Sequence, residues 1–338
     1  MEESFYFRRD RILIKDLGDF IQLRQSFQNR IFVDFKAQNA VYSIGIFGSY
    51  AEPFGIIISL LSLLDVIIAI IMKLFTSFFI VLLFTFVGLA QRTAPASKTK
   101  LAEITERGQM LYAYDVAAWH STDAVVELSP TEGSFVRYIA QKNGSVWTVA
   151  YGKLNEKRDK FLIAYEAVQG ASLQEFKVKK LDTPKENVGF YLFAARAIDV
   201  ALKDFGGATR PYNVAVLPAK ENQLYVYLVP AQTKVGVFPL GSDVRYLFSA
   251  DGQKIVEKRQ LHKSIIEFSV PEGVKPQTGF HTAVLDDAPE ETDVFHVLAR
   301  EPKIPELVVT SKYVYQIKED GTIMYLMSTE AFRKVGKQ

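Results

Sequence analysis

Cysteine is absent from this chain of 338 residues. That excludes disulfides, thiolate nucleophiles and cysteine-ligated zinc. Histidine is scarce. His120, His262, His281 and His296 are the four present, so any imidazole-based metal or acid–base site has to draw on them. An excess of one charge is also missing. The formal net charge is +2, too small to create a global field for nucleic acid, and no Lys/Arg-rich run of nucleic-acid-binding type occurs. No nucleic-acid partner is expected. The phosphate loop, the dinucleotide fingerprint, the Gly-x-Ser-x-Gly elbow and the HExxH pair are all lacking. No cofactor is indicated by motif.

What the chain does have is a long apolar block. From Phe54 to Ala90 only Asp65 and Lys73 carry charge, and the block exceeds the roughly 20 residues that one membrane-spanning helix needs. Inside it, "MKLFTSFFIVLLFTFVGLAQ" (72–91) follows the order of a secretory signal peptide. Lys73 is the positive region, Leu74–Val87 the apolar region, and Gly88-Leu89-Ala90 the small-residue cleavage site. Three readings follow. In the first, translation starts at Met72, residues 1–71, the N-terminal segment 1–53 among them, are upstream sequence and not part of the natural protein, and the product is periplasmic or extracellular. Alternatively, 54–90 forms a membrane hairpin, with Arg8-Arg9-Asp10-Arg11 favouring a cytoplasmic N-terminus. In the third, one span anchors the protein in the membrane and tethers an outer domain. The membrane is an expected partner through residues 54–90. The remaining expected partner is an envelope ligand of unknown chemistry.

Residues 91–100 are small and polar and read as a linker. Leu101, Ile104, Gly108, Leu111 and Ala118 recur at helical spacing. Ser97 or Thr99 is positioned to cap this helix, which should run to about His120. Strand signals follow, with Asn143-Gly144, Asp251-Gly252 and Asp320-Gly321 as hairpin turns. Thr183-Pro184-Lys185-Glu186 has the form of a helix start running on to Phe205. Asp293–Leu298 and Val308–Lys318 read as strands. The fold class expected is α+β, mainly antiparallel sheet with two helices, preceded by a membrane or signal segment. Residues 101–209 form an α+β region and 210–338 a β-rich region.

The candidate sites are few. His120 ends a helix beside Trp119, where the dipole favours it. The stretch "VEKRQLHKS" (256–264) reads as an exposed hairpin strand or an anion site. Tyr225 and Tyr227, like Tyr313 and Tyr315, share one strand face and read as sheet core or as a sugar-stacking surface. Asp286, Asp287, Glu290, Glu291 and Asp293 read as a solvated acidic loop or a weak calcium site.

The most specific stretch is "GFHTAVLDDAPEETDVFHV" (279–297). It resembles the metal motif of the JAB/MPN zinc isopeptidases: His, Ser or Thr, His, then Pro-Ser and an Asp two residues on, with a glutamate upstream. His281 and Thr282 match its opening; Pro289 and Asp293 match its close. Ala283 stands at the second histidine, Glu290 at the serine, and the interval to Asp293 is one residue short. The resemblance implies a degenerate metallohydrolase with His281 and Asp293 as metal ligands and Glu257 or Glu166 as the upstream base. The spacing of the residues argues the other way. No two histidines lie two or four apart, and a strand would turn His296 away from Asp293. A non-catalytic binding or scaffold domain without a tight zinc site is therefore the first functional expectation.

Overall fold

The computed structural model describes residues 94–271 and 273–335. The segments 1–53 and 54–90, and the signal-like 72–90, lie outside the described residues. Among the described residues no helix is long and apolar enough to cross a membrane.

The described chain is α+β with four helices and mostly antiparallel sheets. Helix α1 (Lys98–Glu127) starts at Ser97, whose hydroxyl accepts from the Lys100 N–H at 3.2 Å, the expected capping interaction. It runs seven residues past His120. Strands β1 (Arg137–Asn143), β2 (Val146–Leu154), β3 (Phe161–Gln169) and β4 (Phe176–Asn187) form an antiparallel sheet in sequence order. Gly144 has a φ of 63° in the first turn, as its Asn-Gly sequence demands.

Thr183-Pro184-Lys185-Glu186 does not start a helix. It lies in β4, and helix α2 begins at Phe190 and ends at Phe205. Proline is tolerated because β4 is an edge strand whose register shifts between the Lys180 and Lys185 pairings. A second sheet has the order β5 (Tyr212–Pro218), β6 (Leu224–Pro230), β8 (Val244–Phe248), β9 (Ile255–Gln260). β7 (Val237–Leu240) and β10 (Ile266–Ser269) form a separate antiparallel ribbon. The last sheet runs β11 (Gly279–Thr282), β12 (Glu306–Val309), β13 (Tyr313–Ile317), β14 (Ile323–Ser328), with β11 parallel to β12. The expected single strand 308–318 is thus two strands. Thr310 makes the turn between them by bonding the Tyr313 backbone in both directions, its hydroxyl donating to the carbonyl and accepting from the N–H.

Asp293–Leu298, expected as a strand, is helix α3 (Glu291–Ala299). The signal is a capping box in acidic form. Asp293 Oδ2 accepts from the Glu290 N–H at 2.8 Å, and the Glu290 side chain accepts in return from the helix. The acidic first turn also suits the positive end of the helix dipole. Helix α4 (Thr329–Val335) closes the described chain.

Apolar burial explains the arrangement. α2 packs Leu192, Ala195 and Ile198 on Ile139, Phe161, Val226 and Tyr246, so one cluster draws on residues from both sides of position 210. The middle of α1 packs Tyr114 and Ala118 with Val149, Tyr151 and Tyr227. Its first turns, Leu101 and Ile104, meet Val294 and Val297 of α3 and Val308 and Tyr315 of the last sheet. The tyrosine pairs of the sequence are therefore largely core: Tyr227, Tyr313 and Tyr315 are buried. Gly108 is where α1 and α3 touch. A Cβ there would stand 2.4 Å from Val294 Cβ and 2.6 Å from the Glu291 carbonyl oxygen, so no larger residue permits this approach.

Candidate metal centre

β9 delivers the chain to Leu261, whose side chain is buried in the α1 cluster and whose N–H donates to the Asp243 carbonyl at 3.0 Å. This anchors His262 beside the Asp243 side chain. Nδ1 of His262 lies 2.8 Å from Asp243 Oδ1. His281 projects inward from β11, where burial alternates with its exposed neighbours Phe280 and Thr282. Its Nδ1 lies 2.8 Å from Glu306 Oε1. Glu306 opens β12 opposite Gly279, and a Cβ on Gly279 would fall 1.8 Å from Glu306 Oε2. Glycine leaves the room that this carboxylate occupies. Arg300, buried at the end of α3, holds Glu306 Oε2 at 2.5 Å and the Ile304 carbonyl at 2.7 Å.

The two other ring nitrogens converge. His262 Nε2 and His281 Nε2 each lie 3.0 Å from Asp293 Oδ1. Asp293 is fully buried, and the two histidines are 7% and 4% exposed. The separations are those of hydrogen bonds, but the angles are not. All three atoms are buried, and none makes a well-directed hydrogen bond beyond these two ion-pair contacts. Buried polar atoms are rarely left so. Three donor atoms in poorly directed contact, all within 4.8 Å of one another, are also close enough for one cation to hold them. Around a tetrahedral zinc with bonds of about 2.0–2.1 Å, ligand atoms stand about 3.3 Å apart; here each imidazole nitrogen lies 3.0 Å from the carboxylate oxygen and all three atoms lie within 4.8 Å of one another. The carboxylates on both Nδ1 atoms complete the pattern. They fix the proton on Nδ1, leave the Nε2 lone pair for a metal, and raise ligand basicity. Two imidazoles and a carboxylate suit zinc, and also ferrous iron.

Charge balance allows two states. Asp243, His262, Asp293, His281, Glu306 and Arg300 form one buried chain of contacts that alternates in sign when both imidazoles are protonated. Burial alone would lower both histidines. The Asp293 and Asp243 carboxylates outweigh it at His262, raising it to about 11, and Asp293 and Glu306 do so at His281, raising it to about 9. Burial pushes Asp293 up, but the two imidazoles prevail and hold it well below the usual carboxylate range. A divalent ion that replaces the two Nε2 protons leaves the net charge of the cluster unchanged. The residues present therefore fit a divalent metal both geometrically and electrostatically.

Of the residues marked by sequence, His281 and Asp293 are brought together. His262 was missed as a partner: read as part of a solvated strand, it is buried, because it follows β9 and turns in behind Leu261. Nothing in its local spacing reveals this; the signal was the apolar Leu261 directly before one of four histidines. His296 is on the same helix as Asp293, its ring against Phe268, and burial with Arg300 nearby lowers it to about 4. Neither proposed upstream base touches the cluster. Glu166 pairs with Lys185, and Glu257 lies half exposed near Arg245. The glutamate that does reach it, Glu306, lies downstream.

The acidic residues of 286–293 are neither a solvated loop nor a calcium cage. They diverge toward three different cations. Asp286 and Glu290 meet Arg259, Asp287 meets Lys312, and Glu291 is buried against Arg245 at 2.5 Å and the Tyr227 hydroxyl at 2.9 Å. His120 stacks on Trp119, away from the cluster.

No family model, curated protein or solved structure matches this chain. The resemblance to the JAB/MPN motif thus rests on the residues alone.

Proposed function

We propose that the protein is a zinc metalloprotein of hydrolytic type, with His262, His281 and Asp293 as ligands, carried in the cell envelope by its exported or membrane-anchored N-terminal region. The observation that supports this most directly is the convergence of three buried ligand atoms within 4.8 Å of one another, none in a well-directed hydrogen bond, two of them on imidazoles already oriented by carboxylates. Three protein ligands leave a fourth position, as in catalytic zinc sites, where the ion lowers the pKa of a bound water and polarises a carbonyl. In this reading Asp243 and Glu306 orient the rings, Arg300 holds Glu306, and the capping box fixes Asp293. His262 takes the place left by Ala283 in the JAB/MPN-like motif. The envelope location rests on the signal-like order of residues 72–90.

Burial of the ligand atoms supports a second reading, in which the ion stabilises a non-catalytic binding or scaffold domain, since structural zinc sites are closed. One experiment separates the two. Metal analysis of the purified full-length protein is expected to give one zinc per chain. Cobalt substitution is expected to give a visible spectrum that azide perturbs if the fourth position exchanges. A spectrum unmoved by azide would favour the closed, non-catalytic site. No zinc and no cobalt uptake would reduce the cluster to a buried ion-pair network.

A further inference from the structure

We infer that the open edge of β11 receives an extended polypeptide, added to the sheet as a fifth strand, so that its main chain runs beside the metal ligands. The inference rests on the zinc reading above for its link to chemistry, and it names the class of substrate.

β11 is an edge strand. In its parallel ladder with β12 the Gly279 N–H donates to the Pro305 carbonyl at 2.8 Å and the Ala283 N–H to the Val309 carbonyl at 2.9 Å. Backbone groups alternate sides along a strand. Gly279, His281 and Ala283 therefore address β12, and the N–H and C=O groups of Phe280 and Thr282 address the open side. Among the described residues neither of these N–H groups donates to a turn, loop or other element outside the sheet ladders. Unpaired donors and acceptors at this repeat are the complement of an extended backbone and of little else.

Two other edge strands carry charge along their length. β4 carries Lys177, Lys179, Lys180 and Lys185, and β9 carries Glu257, Lys258 and Arg259. Charges of this kind block edge pairing. β14 has a register shift against β13 and packs against α1 and α4. From Gly279 to Leu285 the chain around β11 has no Asp, Glu, Lys or Arg. Phe280, Val284 and Leu285 are exposed there, by 58%, 66% and 48%. They offer apolar surface to alternate side chains of an added strand.

The same strand carries His281. A strand added at the usual spacing of about 4.8 Å passes alongside the backbone that bears this ligand. Main-chain recognition with apolar side-chain contacts selects for extended, weakly charged polypeptide and tolerates many sequences.

The test uses the zinc-loaded full chain in detergent. The probe is a peptide of alternating valine and threonine with a lysine at each end, and the control is the same peptide N-methylated at alternate residues. The unmethylated peptide is expected to bind at least ten-fold more tightly than the control. Hydrogen exchange is expected to show new protection at the Phe280 and Thr282 amides. Thr282→Pro removes one outward donor without touching the β12 ladder, and Phe280→Lys adds the charge other edges carry. Each is expected to weaken peptide binding at least ten-fold while zinc stays at one per chain. Equal binding of the methylated peptide, or protection away from β11, overturns the inference. Absence of peptide binding with zinc still at one per chain overturns it too and leaves the zinc site standing; loss of zinc from the wild-type protein is instead the failure of the site reading. Self-association lost in Thr282→Pro, with no peptide bound, overturns it in favour of a second copy of the chain at this edge.

Discussion

The two halves of the described chain treat their interiors differently. Before Asp243 the buried polar residue is Ser121, which bonds Tyr151 at 2.7 Å. From Asp243 onward thirteen polar or charged residues are buried. In the first half α1 and α2 meet their sheets through Leu, Ile, Ala, Phe and Tyr side chains, and apolar area lost to water, at about 25 cal/mol per Å², accounts for the packing. In the second half two imidazoles, three carboxylates and an arginine lie end to end. Buried ion pairs seldom repay their desolvation better than a packed apolar core would. The first half therefore shows what this chain needs in order to fold, and the second carries more buried charge than folding requires. That excess coincides with the site proposed above to hold a metal.

Removing a ligand should break the comparison most strongly. Asp293→Ala, His262→Ala and His281→Ala are each expected to abolish stoichiometric zinc binding, with affinity falling at least about 1000-fold, or about 4 kcal/mol, by calorimetric titration. Phe161→Ala in the first half is expected to cost a similar energy, about 3–5 kcal/mol, but as lost stability in denaturant unfolding with zinc affinity unchanged. If Phe161→Ala lowers zinc affinity as much as His262→Ala does, the two halves are not separable.

A smaller effect is expected where the halves are bolted together. Gly108→Ala forces a Cβ against Val294 and the Glu291 carbonyl. The expected cost is about 1–3 kcal/mol of stability together with weaker zinc binding, because α3 carries Asp293. Retained stability with unchanged zinc affinity would show that the contact yields. Next come the orienting carboxylates. Glu306→Gln and Asp243→Asn should each weaken zinc binding about 10- to 100-fold, while Glu166→Gln, remote from the cluster, leaves it unchanged.

The least effect belongs to the first half alone. Burial raises the Tyr151 hydroxyl to about 12 against the opposing bonds from Ser121 and Thr122. A phenol whose folded pKa lies above the usual 10 binds its proton more tightly in the folded state. Its contribution is intact below pH 10 and is lost between pH 10 and about 12. At pH 11 the loss is about 1 kcal/mol, and Tyr151→Phe should remove this component from the pH dependence of unfolding.

Much of the fold was legible because its signals are local. The three Gly-containing turns sit where Gly144, Gly252 and Gly321 adopt positive φ, and Ser97 caps the helix whose stripe begins at Leu101. Two stretches misled for opposite reasons. Thr183-Pro184-Lys185-Glu186 has the composition of a helix start but sits at an irregular edge, where tertiary pairing overrides it. Glu290 and Asp293 form a real capping box in an all-acidic version, and the β-branched and aromatic residues after it imitate a strand. The site was half legible. His281 and Asp293 belong to one motif and could be paired from it. His262 joins them only through packing of Leu261 and the hydrogen bond to Asp243, and no spacing rule encodes a contact made across two sheets.

The convergence of His262, His281 and Asp293 has one more consequence, which concerns the unfolded chain. An ion held by all three closes two successive loops, each between about 10 and 20 residues long. In the loop-closure model, tying a loop of about 15 residues withdraws about 3 kcal/mol of entropy from the disordered ensemble. In a protein without cysteine, an ion coordinated there would be a reversible cross-link, formed when metal is supplied and undone by a chelator.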